Sequence, residues 1–293
     1  MSIVITAPTG NIGSKLTEKL LDAGAQVTLL ARHPDKLTEA VARGAKVAQG
    51  SQEDEAFVLA ATRGASALFW LTPPNFATPD FRAYQRKMGA IVAKAIGTNK
   101  IPRVVHLSSI GAQLGQGVGP VNGLHDIEKA IDAVAANVTH LRPGGFMENV
   151  LMSLDTIKSA GTIFMPVSGA AKTPMVATRD IAEAAAKLLL DGSWTGKQAL
   201  TLYGPEELGF ATVATILTEV LGKPVSFVQV TPDQARQAML GKGLTPDLVS
   251  QYLEMYDAFD TGRIVQGLPA KPDLRGTTTF KEFAKTVIKP LVG

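Results

Sequence analysis

Three groups of residues have the types and spacing to do chemistry. The first is Ala7-Pro8-Thr9-Gly10-Asn11-Ile12-Gly13, between an apolar β-branched run and an amphipathic stretch with Ile12, Leu16 and Leu20 four apart. A turn of this kind aims backbone N–H groups and the positive end of a helix dipole at an anion such as a dinucleotide pyrophosphate. Gly10 lets the backbone approach the phosphates and Gly13 lets the helix pack on the strand. Ala7 stands where a third glycine is usual, and its small side chain is read as tolerated. The second group is Arg32, 22 residues past Gly10, with His33 and Lys36 beside it. A site selective for NAD places an acid roughly 20 residues past the loop, on the ribose 2′-OH. An arginine there suits a 2′-phosphate through paired charge-assisted bonds, so NADPH is expected in preference to NADH.

The third group is Ser109 with His125-x-x-x-Lys129. An imidazole titrating near neutrality can give a proton or a hydrogen bond to a substrate oxygen. Lys129 lies one helical turn further on the same face. The plain alternatives are a polar residue in a helix's first turn and a solvated lysine. His106 and His140 lie inside apolar strands and read as core. Phe146, Met147 and Asn149 fall where the chain leaves the sheet, so they are candidates for a substrate pocket wall. Other chemistries lack their parts. The chain has no cysteine, which excludes disulfides and thiolate nucleophiles. It has no H-E-x-x-H, G-x-S-x-G or Walker lysine, and its acids are scattered, so no metal is expected.

These residues need a scaffold, and the 293-residue chain supplies an alternating one. Strand-like and helix-like runs succeed one another through "VTHLRP", implying an α/β fold with a Rossmann-type, doubly wound parallel sheet. The glycine-rich "GAQLGQGVGPVNG" follows the fifth strand and is expected to face ligand at the sheet's carboxyl edge. Beyond Pro143 the rhythm breaks. The expected division is a dinucleotide-binding domain over 1–145, rejoined by 176–204, with 146–175 and 205–293 forming a smaller, mostly helical substrate domain. Two helices there open with Thr-Pro-Asp, at Thr231 and Thr245, an N-cap followed by proline. A net charge of +3 without a basic cluster argues against nucleic acid. No apolar run reaches membrane length, and Met1-Ser2 leads directly into the first strand, so no membrane and a cytoplasmic location are expected.

The segments "VITAPTGNIG", "LLARHPDKL", "VVHLSSIGA", "HLRPGGFMENVL" and "TPMVATRDIAEAAAKLL" together resemble the NmrA-like group of atypical short-chain dehydrogenases/reductases, over about residues 3–230. The resemblance implies an NAD(P)(H)-binding Rossmann domain and a C-terminal domain closing a cleft over the nicotinamide. By position, Thr9, Gly10, Asn11, Ile12 and Gly13 would meet the pyrophosphate, and Arg32 with Lys36 the adenosine phosphate. Leu71, Thr72, Pro73, Ser108 and Ser109 would line the ribose and nicotinamide side. Members include NADPH-dependent quinone reductases, dye-reducing enzymes and non-catalytic redox sensors. The conventional Tyr-x-x-x-Lys is replaced here by His125 and Lys129, and the tyrosines, at 84, 203, 252 and 256, lie elsewhere. The expected function is NADPH-dependent hydride transfer to a quinone-like or other electron-poor planar acceptor. The alternative is a dinucleotide-binding sensor acting through a protein partner; a homodimer is compatible with either.

Overall fold

The computed structural model describes residues 2–292. The first half runs β1 (Ser2–Thr6), α1 (Asn11–Asp22), β2 (Gln26–Ala31), α2 (Thr38–Ala42), β3 (Lys46–Gln49), α3 (Glu55–Ala61), β4 (Ala67–Trp70), α4 (Phe81–Asn99), β5 (Val104–Leu107), α5 (Val121–Asp132) and β6 (Val138–Pro143). The second runs β7 (Gly145–Phe146), α6 (Leu154–Ala160), β8 (Thr162–Met165), β9 (Thr173–Val176), α7 (Thr178–Leu190), β10 (Lys197–Tyr203), β11 (Glu207–Leu208), α8 (Phe210–Leu221), β12 (Ser226–Gln229), α9 (Pro232–Gly241), α10 (Pro246–Asp260), β13 (Leu274–Arg275) and α11 (Phe280–Phe283).

Eight strands form one sheet in the order β13-β10-β6-β5-β4-β1-β2-β3, every pair parallel. This is the Rossmann-type sheet expected from the alternation. Its inner strands β1, β4 and β5 are buried almost throughout because helices cover both faces. Ile3, Ile5, Phe69, Val105 and Leu141 pack against Leu16 and Leu20 of α1 and Ile181, Ala185 and Leu189 of α7. The alternate positions Val4, Leu68, Trp70, Val104 and Val138 pack against Met88, Ile91 and Val92 of α4 and Ile127 and Ile131 of α5. The order reverses between β1 and β4, which opens a crevice at their carboxyl ends where α/β proteins bind ligands.

A smaller lobe has its own core of Met147, Ile157, Ile163, Leu217, Phe280 and Phe283. A three-stranded sheet, β11-β9-β7, lies where the lobe meets the large sheet. The segment 205–293 serves both, because β13 pairs with β10. Both Thr-Pro-Asp segments start helices: Thr231 Oγ1 accepts from the Gln234 N–H at 3.2 Å and Thr245 Oγ1 from the Leu248 N–H at 3.4 Å. Among the described residues no helix is long and apolar enough to cross a membrane.

Candidate active site

The loop between β1 and α1 faces the crevice. The first helical bond of α1 runs from the Ser14 N–H to the Gly10 carbonyl at 3.0 Å. The N–H groups of Asn11, Ile12 and Gly13 therefore point out of the helix end, with no side-chain cap and no acid in the first turn. An anion is the partner such a terminus favours. The two glycines have different reasons. A Cβ on Gly13 would lie 2.2 Å from the Ala7 carbonyl oxygen and 2.9 Å from Pro8 Cα, so α1 could not pack where it does. A Cβ on Gly10 would meet only the Ala7 oxygen, at 3.5 Å; its bare surface is free for a ligand. Ala7 adopts φ +50°, a left-handed conformation that costs an L residue about 1–2 kcal/mol. The usual glycine at this position has a conformational reason, and alanine meets it under strain. Ile12 is buried in the sheet's core, so it offers a ligand only its backbone.

The carboxyl end of β4 is fixed by a residue that sequence reasoning missed. Thr6 Oγ1 accepts from the Leu71 N–H at 2.8 Å and lies 3.2 Å from the carbonyls of Phe69 and Leu71. Gln52 Nε2 donates to the Leu71 carbonyl at 3.1 Å, and Trp70 Nε1 to Thr72 Oγ1 at 3.0 Å. Leu71, Thr72 and Pro73 are half-buried and held at the crevice. The Tyr84 hydroxyl donates to the Pro73 carbonyl at 2.9 Å. Burial, with Glu53 adding and Arg32 opposing, pushes that phenol up to about 12, so it is a weak acid there. Arg32 and Lys36 are exposed at and just beyond the end of β2. Among the described residues neither pairs with a carboxylate.

On the β6 side the chain is clamped. Gly145 and Phe146 pair with Met175 and Val176, and a Cβ on Gly144 would lie 2.0 Å from the Pro174 oxygen. Phe146 is half-buried and packs, like Leu71, against the core beneath the large sheet. Asn149 is exposed. Met147 is fully buried in the smaller lobe, so it has no surface for a substrate and the pocket-wall expectation is corrected at that residue. Ser109 is half-buried at the end of β5. The Ser108 side chain is enclosed instead: its hydroxyl is buried without a hydrogen-bond partner, and only its backbone lies along the edge.

His125 and Lys129 come together, but elsewhere. They line a cleft of about 270 Å³ with Gln113, Glu128, Asp132 and Lys197, which includes none of the residues expected to hold a coenzyme. Helix α5 starts at Val121, so His125 sits in its second turn. His125 Nδ1 lies 2.7 Å from the Ala112 carbonyl; a carbonyl only accepts, so the proton is on Nδ1. Behind the cleft is a buried polar layer that composition does not reveal. Arg142 binds Glu128 in a fork, at 2.9 and 2.5 Å. Burial opposes ionisation of Glu128, but Arg142 holds its carboxyl below the usual range. His106 and His140 are register partners whose Nδ1 atoms meet at 3.1 Å, and His140 Nε2 reaches Asp132 at 3.1 Å. Burial, aided by His140, pushes the His106 imidazole down to about 3, which keeps it uncharged.

The loop after β5 is tied to the C-terminal helical segment. Gly111, Gly115, Gly117 and Gly119 all have positive φ. The Gly119 N–H donates to Glu254 at 3.0 Å, and Arg263 Nε to the Gly117 carbonyl at 3.0 Å. The loop is braced against α10 and the turn after it, and its Gln113 lines the cleft of His125.

The model for the NmrA-like family matches residues 1–284. The chain belongs to the NmrA-like family. Among relatives, the NAD(P)H azoreductase of Xenophilus azovorans is 31% identical over 285 residues, covering 97% of this chain and 96% of that protein. Among solved structures, the triphenylmethane reductase of Citrobacter sp., complexed with NADP(H), superposes with a TM-score of 0.79 at 22% identity, covering both chains fully. The NADPH-dependent quinone oxidoreductase of Escherichia coli, complexed with NADPH, gives 0.76 at 22% identity, covering 99% of this chain and 100% of that one. At such identities the two structures show a shared fold. The segment "LRPGGFMEN", part of one of the five stretches that resemble the NmrA-like group, is largely the clamp between the sheet and the smaller lobe.

Proposed function

We propose that this NAD(P)H-dependent reductase of the NmrA-like family uses NADPH and passes hydride to a flat, electron-poor acceptor of the quinone class. The dinucleotide fits the residues present: open N–H groups on α1, a bare Gly10 surface and an arginine at the end of β2. NADPH bound there supplies the hydride. Gly10, Asn11 and Gly13 hold the pyrophosphate by backbone, Arg32 with Lys36 takes the 2′-phosphate, and Leu71, Thr72, Pro73 and Ser109 line the nicotinamide side. Phe146 forms the acceptor wall opposite them, and the segments 146–175 and 205–293 close the cleft.

The acceptor class rests on one observation: Tyr84, at the crevice, and His125, in its separate cleft, both have their protons engaged. Tyr84 is tied to the Pro73 carbonyl and raised to about 12, and the His125 N–H is tied to Ala112. Reducing a simple ketone makes an alkoxide about as basic as hydroxide, so losing a positioned acid costs roughly 10²–10⁴ in rate. Hydride addition to a quinone leaves a phenolate-like anion whose conjugate acid lies around 10. Ser109 or water suffices for that. The activities for which the azoreductase, the triphenylmethane reductase and the quinone oxidoreductase are named support acceptors of this kind. The test is NADPH oxidation with menadione and with cyclohexanone, in wild type and His125→Ala. Menadione is expected to turn over, cyclohexanone negligibly, with a modest loss in the variant; efficient cyclohexanone reduction lost in His125→Ala would overturn the reading.

A further inference from the structure

Glu148 belongs to no expected site, yet it is the one carboxylate held at the clamp that carries Phe146. The Thr178 N–H, at the first position of α7, lies 3.1 and 3.0 Å from its two carboxyl oxygens, and the Thr178 hydroxyl donates to it as well. Helix α7 has no side-chain cap of its own, so Glu148 supplies one from 30 residues away. Burial raises the carboxyl pKa, and the Thr178 bonds and Lys15 of α1 oppose that rise. The N-terminus of α7 favours the charged form against that burial.

We propose that Glu148 is a positioning residue for acceptor binding, acting through Phe146. The proposal rests on the reading above, in which Phe146 walls the acceptor. Only Met147 separates them, and both ends of that segment are fixed to one element pair: Phe146 by the ladder to Val176, Glu148 by the start of α7. Directly after Phe146 the chain turns into the helical stretch Met147–Ser153, which includes Glu148 and whose buried Met147 and Val150 anchor it in the smaller lobe. Phe146 also packs on the core beneath the large sheet, and Met147 beside it is buried in the smaller lobe. The ladder of β7 is only two residues long, so the carboxylate adds a fixed point just beyond the ring. Losing Glu148 therefore loosens the wall without touching the glycine loop or Arg32.

The experiment measures menadione affinity for the NADP⁺-loaded protein by calorimetry and steady-state constants for menadione reduction, in Glu148→Ala, Glu148→Gln, Phe146→Ala and Glu148→Ala/Phe146→Ala. Removing a charge-assisted bond predicts about tenfold or greater weakening of menadione binding, and the same rise in its KM, in Glu148→Ala. NADPH affinity stays within about twofold. Glu148→Gln, whose amide oxygen still accepts from Thr178, recovers most of the affinity. Action through Phe146 further predicts that Glu148→Ala adds little in the Phe146→Ala background. Wild-type menadione constants in a folded Glu148→Ala, or full multiplication of the two effects, would overturn the proposal and leave the acceptor reading standing. If Glu148→Ala does not fold, Thr178→Val, which removes one donor, must shift menadione affinity in the same direction or the proposal fails. A wild type that neither binds nor reduces menadione overturns the acceptor reading, and the role of Glu148 with it.

Discussion

Residues 7–13 and 111–119 are both glycine-bearing loops at carboxyl ends of strands, and they do opposite work. The first has two glycines and leaves three N–H groups at a helix end open. The second has four glycines, and its backbone is engaged by Glu254, Arg263 and Arg82. At Gly119 a Cβ would lie 1.9 Å from the Gln251 carbonyl oxygen, so glycine serves the docking of α10. On the proposed function, the ligand loop is the one whose donors the protein leaves unsatisfied, and glycine content alone does not separate the two.

The sharpest way to break this contrast is at the two close approaches. Gly13→Val pushes a side chain into the Ala7 and Pro8 backbone and is expected to abolish detectable NADPH binding while circular dichroism still reports a folded α/β protein. Retained binding would place the phosphate elsewhere. Gly119→Val should do the converse. Overpacking together with an L residue at positive φ predicts about 2–5 kcal/mol of destabilisation in a urea titration, with NADPH affinity of the folded fraction unchanged. A large loss of affinity without destabilisation would make 111–119 a ligand loop after all.

Smaller effects sharpen what the first loop binds. Arg32→Ala should lower the preference for NADPH over NADH by roughly tenfold to a hundredfold, the worth of a charged hydrogen bond of about 1.5–3 kcal/mol. Calorimetry with both coenzymes checks it, and equal wild-type affinities would remove the assignment. Ala7→Gly is the mildest test. Relief of left-handed strain exceeds the added freedom of the unfolded chain only slightly, so a stabilisation of about 1 kcal/mol or less is expected in thermal melts. A clear destabilisation would mean that the alanine methyl makes a contact the loop needs.

The large sheet was legible because its signals are local. Apolar runs such as "ALFW" and "RVVHL", and the helical face of Phe81, Tyr84, Met88, Ile91, Val92 and Ala95, each report burial within one element. The Thr-Pro-Asp starts were legible for the same reason. The strands β7 and β11 have two residues each, too few for any period. Glu148 and Thr178 form a bond between segments that pattern reasoning treats separately. His125 illustrates a further limit: its spacing to Lys129 was right for a shared face, but spacing does not say which side of α5 that face meets. The docking of the loop at 111–119 on α10 was not legible, because positive φ and close backbone approach leave the same compositional mark whether the neighbour is a phosphate or a helix.

The strand order has a consequence for how the protein is made. A chain emerging N-terminus first can assemble β3-β2-β1-β4-β5-β6 from its first 143 residues, glycine loop and Arg32 included. The outer edge of β6 then stays unpaired until Tyr203 has been synthesised, and that of β10 until Arg275. An open edge is a template for wrong partners. The nascent chain thus acquires its coenzyme residues early and the cover for its sheet late, and coenzyme bound to that early half would hold it folded by mass action while the remainder is translated.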